Sequence, residues 1–290
     1  MAAVTAPGYH PVAPPPAARR PRRRWWLTGV VVAWALVLTG FAFWSVRNDP
    51  PTVPEQRDIA AALPVLQRAT GVTLTAADAA DRVVTLGELS FDRDCALTPV
   101  REGVEASREI TVRVQPGQVP GVLQAIARAL PAGYAATARH NEARTRYGLR
   151  ADAGEFVGVD TTADADASAF TLLVSTGCRP LADGVDLDPA PVAATDVPPA
   201  FTAALQALGA TAAKATSSEV SCPSGGVART VTAEELSAPA DLERTLQGVV
   251  AGAVVVQADP HAWAYRAGNV SVVVSDSEGR ARVDATTGCR

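Results

Sequence analysis

Two histidines, four cysteines and one acidic run are the residues of this chain whose types and spacing bear on chemistry. His140 lies in Arg139-His140-Asn141-Glu142 and His261 in Asp259-Pro260-His261. An imidazole serves as general base, proton shuttle or metal ligand, but each role needs a partner at a defined spacing. The chain contains no G-x-S-x-G, no H-E-x-x-H and no S-x-x-K with its companion motifs. Both histidines therefore read as exposed turn residues, and no catalytic residue, metal ligand or cofactor is assigned. The run from Asp160 to Ser168 alternates oxygens as a calcium loop does. Counted from Asp164, Ala169 stands where the loop needs glycine and Ser175 where it needs a bidentate glutamate. It reads as a solvated hairpin loop. Asp92 and Asp94 read as surface charge, and Trp263 and Tyr265, on one face of a strand by period two, as core.

The cysteines carry a firmer message. Cys95, Cys178, Cys222 and Cys289 make an even set, all downstream of an apolar segment, and such a set in an oxidising compartment reads as two disulfides. That segment, Trp25 to Val46, holds no charged residue and follows Arg19-Arg20-Pro21-Arg22-Arg23-Arg24. Its 22 residues reach about 33 Å as a helix, enough to cross a bilayer. The positive-inside rule places the N-terminus in the cytoplasm, with Arg22, Arg23 and Arg24 against the headgroups and Trp25, Trp26 and Trp44 at the interfaces. The apolar core is longer than that of a cleaved signal, and its best small-x-small site, Gly40-Phe41-Ala42, lies inside the run. It reads as an uncleaved signal anchor in a bacterial plasma membrane. Of 26 basic and 30 acidic residues, five arginines and no acid fall in residues 1–46, which leaves the remainder at −9. An acidic exterior excludes nucleic acid as a partner.

Downstream, short matches recur in the same order. Thr176-Gly177-Cys178-Arg179 returns as Thr287-Gly288-Cys289-Arg290. Pro120, Leu123, Ile126 and Leu130 parallel Pro239, Leu242, Leu246 and Val249; Ile59, Leu63 and Leu66 parallel Phe201, Leu205 and Leu208. A tandem repeat follows from this order. The expected fold class is α+β, a transmembrane helix followed by two disulfide-bonded α-β-α-β-β-β-β units, each with helices on one face of a mostly antiparallel sheet. The expected organisation is a disordered basic tail (1–24), the anchor (25–46), unit one (47–179), a Pro/Asp-rich linker (180–199) and unit two (200–290). Second helices are expected over Val119–Leu130 and Pro239–Val250, and Ser277-Glu278-Gly279 as a hairpin turn. If each unit closes its own bond, the pairs are Cys95–Cys178 and Cys222–Cys289; crossed pairing is the alternative.

The expected function is that of a non-enzymatic binding or interaction module of the cell envelope. Its partners are the lipid bilayer through residues 25–46 and an envelope protein, wall component or small ligand. An envelope hydrolase using His140 or His261, or a transmembrane regulator with a very short cytoplasmic tail, is the alternative.

Overall fold

The computed structural model describes residues 23–48, 57–98, 101–210 and 214–289; Arg22, most of the basic tail and the segment after the anchor lie outside them. The chain divides into two compact units at Pro50/Pro51. The first holds α1 (Arg23–Asn48), whose stretch Trp25–Trp44 has a mean hydropathy of 2.0 and is nowhere buried by the protein. It has no polar face, so only an apolar medium suits its whole circumference. Thr39, its one interior hydroxyl near the middle, turns back on the helix and donates to the Ala35 carbonyl at 2.8 Å.

The second unit is mixed α+β, with two antiparallel sheets. Its elements run α2 (Ile59–Ala77), β1 (Val83–Thr98), β2 (Arg101–Arg113), α3 (Val119–Ala129), β3 (Thr137–His140), β4 (Arg146–Asp152), β5 (Gly158–Asp164) and β6 (Ala169–Arg179). They continue β7 (Val192–Ala193), α4 (Pro199–Ala207), β8 (Ala215–Ser221), β9 (Val227–Ser237), α5 (Leu242–Leu246), β10 (Val254–Asp259), β11 (Ala262–Ala267), β12 (Val270–Ser277) and β13 (Arg280–Thr287). The first sheet has the order β1-β2-β6-β5-β4-β3 and the second β7-β8-β9-β13-β12-β11-β10.

The element order corrects the expectation at one point. Two strands, not one, separate the two helices of each half, giving α-β-β-α followed by four strands. β8 escaped notice because Ala-Thr-Ser-Ser-Glu-Val-Ser offers almost no apolar alternation, and its side chains are mostly half-buried. α2 starts at a cap, the Asp58 carboxylate accepting the Ala61 N–H at 2.9 Å, and runs through the exposed Pro64. α3 spans nearly the expected residues, burying Val119, Val122, Leu123 and Ile126. α5 is shorter than the expected Pro239–Val250. Asp241 caps it through the Arg244 N–H at 2.9 Å, and Gly248 with the β-branched Val249 and Val250 give the helix little to continue on.

The second sheet is buried on both faces. Val231, Val272, Val274, Val283, Trp263 and Tyr265 point towards α4 and α5, while Thr230, Ser271, Val273, Ala264 and Arg266 on the same strands point the other way and are buried too. That second face receives β1. Val83 packs with Val256, Ala264 and Val273. As the edge strand of its sheet, β1 has backbone N–H groups with no strand beyond to accept them. Val84 N–H donates to Ser271 Oγ at 3.1 Å and Leu86 N–H to Thr230 Oγ1 at 3.0 Å. α2 also reaches across: a methyl group at Gly71 would strike the carbonyl oxygen of Ser221 at the end of β8.

Residues 180–199 are held to the surface rather than spanning a gap. Ala182, Val185 and Leu187 pack on the first core, β7 pairs with β8, and Asp188 meets Arg93.

The Tyr265 hydroxyl is fully buried and has no hydrogen-bond partner among the described residues; burial pushes its pKa up to about 12. Removing such a group relieves a desolvation penalty. Tyr265→Phe is expected to raise the unfolding free energy by about 1 kcal/mol, read as a rise in melting temperature of about 2–4 °C. A fall in melting temperature would mean that the hydroxyl is bonded in solution.

Candidate functional site

The two disulfides join Cys95 to Cys178, 83 residues apart, and Cys222 to Cys289, 67 residues apart. The first ties the far part of β1 to the end of β6, and the second ties the end of β8 to the end of β13. Beside each bond sits the threonine of the recurring tetrapeptide. Thr176 Oγ1 accepts the Ala106 N–H at 3.0 Å and lies 3.3 Å from the Ala106 carbonyl, filling the gap where a bulge in β6 sets Thr176 and Gly177 against Ala106. Thr287 Oγ1 lies 3.3 Å from both the N and the O of Arg229 on β9. In both sheets one hydroxyl thus serves the backbone of the neighbouring strand at the disulfide end.

The strongest electrostatic feature is the seam where β1 and α2 meet the second sheet. Arg266 on β11 and Asp78, just after α2, form an ion pair at 2.6 Å with side chains only 3% exposed on each side. The same Arg266 nitrogen lies 3.1 Å from the Arg82 carbonyl and 3.2 Å from Ser271 Oγ. Gly288 makes room for this: any side chain there would collide with the Asp78 carboxylate. Arg108 on β2 crosses the same seam, donating to Gln67 Oε1 at 3.1 Å and to the Glu219 carbonyl at 2.6 Å. Burial pulls its pKa down to about 10, partly offset by the Glu88 carboxylate. Arg113 donates to Gln257 at 2.9 Å. This geometry fixes two sheets against one another; its charges are engaged by the protein itself.

The histidines lie on different sheets and are not brought together. His140 ends β3, exposed, with its ring centroid 5.6 Å from that of Tyr147. His261 sits in the turn between β10 and β11, its Nδ1 2.7 Å from Asp276 Oδ1. Asp259 accepts the His261 backbone N–H at 3.0 Å and the Gln257 amide at 2.6 Å. A His–Asp pair can orient an imidazole for proton transfer, yet here the ring is open to water and, among the described residues, no serine, threonine or cysteine side chain hydrogen-bonds to it. A cleft of about 370 Å³ opens beside it, lined by Asp241, Glu243, Asp259 and Trp263 among others. Two of its three acids have tasks already: Asp241 caps α5 and Asp259 braces the turn. A second cleft, about 330 Å³, lies by Asp196, Arg229 and Asn269, where Arg229 is paired with Asp196 at 3.2 Å and Glu219 at 2.5 Å.

The acidic run is also committed. Asp160 and Asp164 lie on β5 and face Arg150 at 3.7 Å and Arg146 at 3.3 Å on β4. Asp92 accepts the Asp94 N–H at 2.8 Å in a local turn. Among the described residues, no group of three or more His, Cys, Asp or Glu side chains could hold a metal ion. Of the anchor residues, Arg23 and Arg24 fall in the first turn of α1, and Trp25, Trp26 and Trp44 lie exposed at its two ends. Arg22 lies outside the described residues.

Sequence reasoning passed over Asp78, Arg108 and Arg266. One signal was present: Arg266 sits amid Trp263–Ala267 in a strand otherwise apolar or small, where a charge needs a partner.

No family model matches the chain, and no curated protein matches it. Among solved structures, the crystal structure of a DUF4853 family protein from Actinomyces odontolyticus is similar over 63% of this chain and 97% of that one, at 14% identity and a TM-score of 0.34. An apolar N-terminal helix ahead of a disulfide-bonded unit fits a membrane-anchored extracellular module.

Proposed function

We propose that the chain is a single-pass protein of the bacterial plasma membrane, N-terminus inside, which displays a duplicated, disulfide-bonded binding module to the cell envelope. The observation that carries this is the uncharged helix stretch Trp25–Trp44, preceded by arginines and followed by a unit whose cysteines are all paired. The reading of the module as a tandem duplication draws support from the two sheets. With β7 set aside, β8-β9-β13-β12-β11-β10 follows the order of β1-β2-β6-β5-β4-β3, and Thr176 and Thr287 do the same work beside equivalent disulfides. Residues 47–179 and 200–290 are the two copies, joined by 180–199. A binding role for an envelope protein, a wall component or a small ligand accords with ionisable groups bound up in structural pairs, and the acidic exterior turns nucleic acid away.

The test uses the full chain in its native membrane. Alkaline carbonate should leave it in the membrane pellet, and a membrane-impermeant maleimide, added to intact spheroplasts after an impermeant reductant, should label its cysteines. Release into the supernatant would overturn the anchor, and labelling only after lysis would overturn the orientation. Hydrolytic turnover that disappears in a folded His261→Ala variant would replace the binding module with an enzyme.

A further inference from the structure

We propose that the end of the globular unit formed by Phe156, Leu181 and Arg57 is a lipid-contact surface, occupied by the interfacial zone of the bilayer; this rests on the reading of α1 as a membrane anchor. The turn between β4 and β5 places three successive residues at positive φ: Gly154 at 90°, Glu155 at 51° and Phe156 at 60°. Glycine adopts this region freely, but for a bulky residue it is an outlier that persists only where its surroundings enforce it.

The enforcement is visible. Arg179, only 1% exposed, donates through Nη2 to the Glu155 carbonyl at 2.5 Å and through Nε to the Thr176 carbonyl at 2.8 Å. Ala153 N–H reaches the Val157 carbonyl at 2.8 Å, Val157 N–H the Gly154 carbonyl at 3.0 Å, and Arg57 pairs with Glu155 at 3.1 Å. The outcome is that Val157 is buried while the phenyl ring of Phe156 is held 57% exposed. A buried guanidinium thus helps hold an aromatic ring in the open, through a backbone that resists it.

A second exposed apolar side chain follows the same arginine in sequence. Pro180, next to Arg179, accepts the Ile59 N–H at 2.9 Å, and Leu181 follows it, 61% exposed. Phe156 follows Glu155, the partner of Arg57, and Leu181 follows Pro180, which holds Ile59 two residues on from Arg57; the stem of such an arginine suits an apolar boundary while its head stays in the polar layer. Length of chain identifies the occupant. Arg57 is nine residues past Asn48, the end of α1, so a fully extended connection spans at most about 30 Å. Arg57 is the first described residue after the anchor, and it is the residue paired with Glu155 beside Phe156. Because Glu155 balances Arg57, the contact is by insertion of apolar groups rather than by attraction to anionic headgroups.

The experiment places the photoreactive analogue p-benzoylphenylalanine at position 156, at 181, or, for reference, at the exposed Val254 of β10, in the full chain reconstituted in phosphatidylcholine vesicles. After irradiation, lipid adducts are counted by mass spectrometry. Positions 156 and 181 are expected to yield at least about tenfold more lipid adduct than 254, as for side chains seated in the headgroup–acyl boundary. Equal yields at the three positions, or adducts at 156 to protein alone, overturn the surface when the chain stays in the vesicles through an alkaline wash. Release in that wash instead overturns the anchor reading, and the lipid contact with it.

Discussion

Arg266→Ala is expected to lower the unfolding free energy of the protein by about 3–5 kcal/mol, the range for breaking a buried ion pair by removing one partner. The effect comes less from the lost attraction than from what remains. Asp78 would keep its carboxylate 3% exposed beneath Gly288, without the guanidinium that faces it now. The same substitution frees Ser271 Oγ and the Arg82 carbonyl from their shared donor. Urea titration followed by circular dichroism measures the loss. The double variant Asp78→Ala/Arg266→Ala should be more stable than the sum of the single losses implies, by about 0.5–3 kcal/mol, since the two groups are in contact. A single-variant loss under about 1 kcal/mol would mean that water reaches the pair and screens it.

The second large effect concerns the disulfides. In the chain-entropy account, loops of 83 and 67 residues correspond to about 4–5 kcal/mol each. Cys95→Ala/Cys178→Ala is therefore expected to remove about 4 kcal/mol or more, and dithiothreitol acting on both bonds to leave the protein unfolded at 37 °C, because domains of this kind hold only about 5–15 kcal/mol in all. Local packing adds to the first loss. Gly103 lies so close under Cys178 Sγ that no side chain fits between them, and the site has no ready way to refill. Thermal melting with and without reductant decides it; a reduced protein that melts within a few degrees of the oxidised one would show the bonds to be incidental.

What could be read from the residues was what depends on neighbours in sequence. The hairpin from β12 to β13 follows from the valine-rich run Val270–Val274 and from Glu278 and Gly279, which take the positive φ that a tight turn needs. The stripe of α3 was equally plain. What escaped depends on neighbours in space. Thr230, Ser271 and Arg266 alternate with apolar residues, and a polar set at period two is ordinarily the wet face of a sheet. Here that face is dry because another sheet's edge sits on it. β1 was missed for a related reason: after Val83–Leu86 its burial fades towards Asp92–Asp94, so its far half carries no core pattern. Of the candidate site, the cysteines were legible, but the buried charges that lock the seam look in sequence like any other charged residues.

The way β1 is finished off bears on how the molecule comes into being. Val84 and Leu86 find acceptors 187 and 144 residues further along the chain. Ribosomes deliver the N-terminal part first, at about 5–20 residues per second. For the several seconds before Thr230 and Ser271 emerge, β1 presents a bare ladder and the exposed flank of Val83, the kind of edge on which chains stick to one another. The first half is thus a nascent intermediate that only its own successor can complete. Stop codons or proteolytic cuts between residues 180 and 230 should release not a smaller version of the protein but a species in need of chaperones.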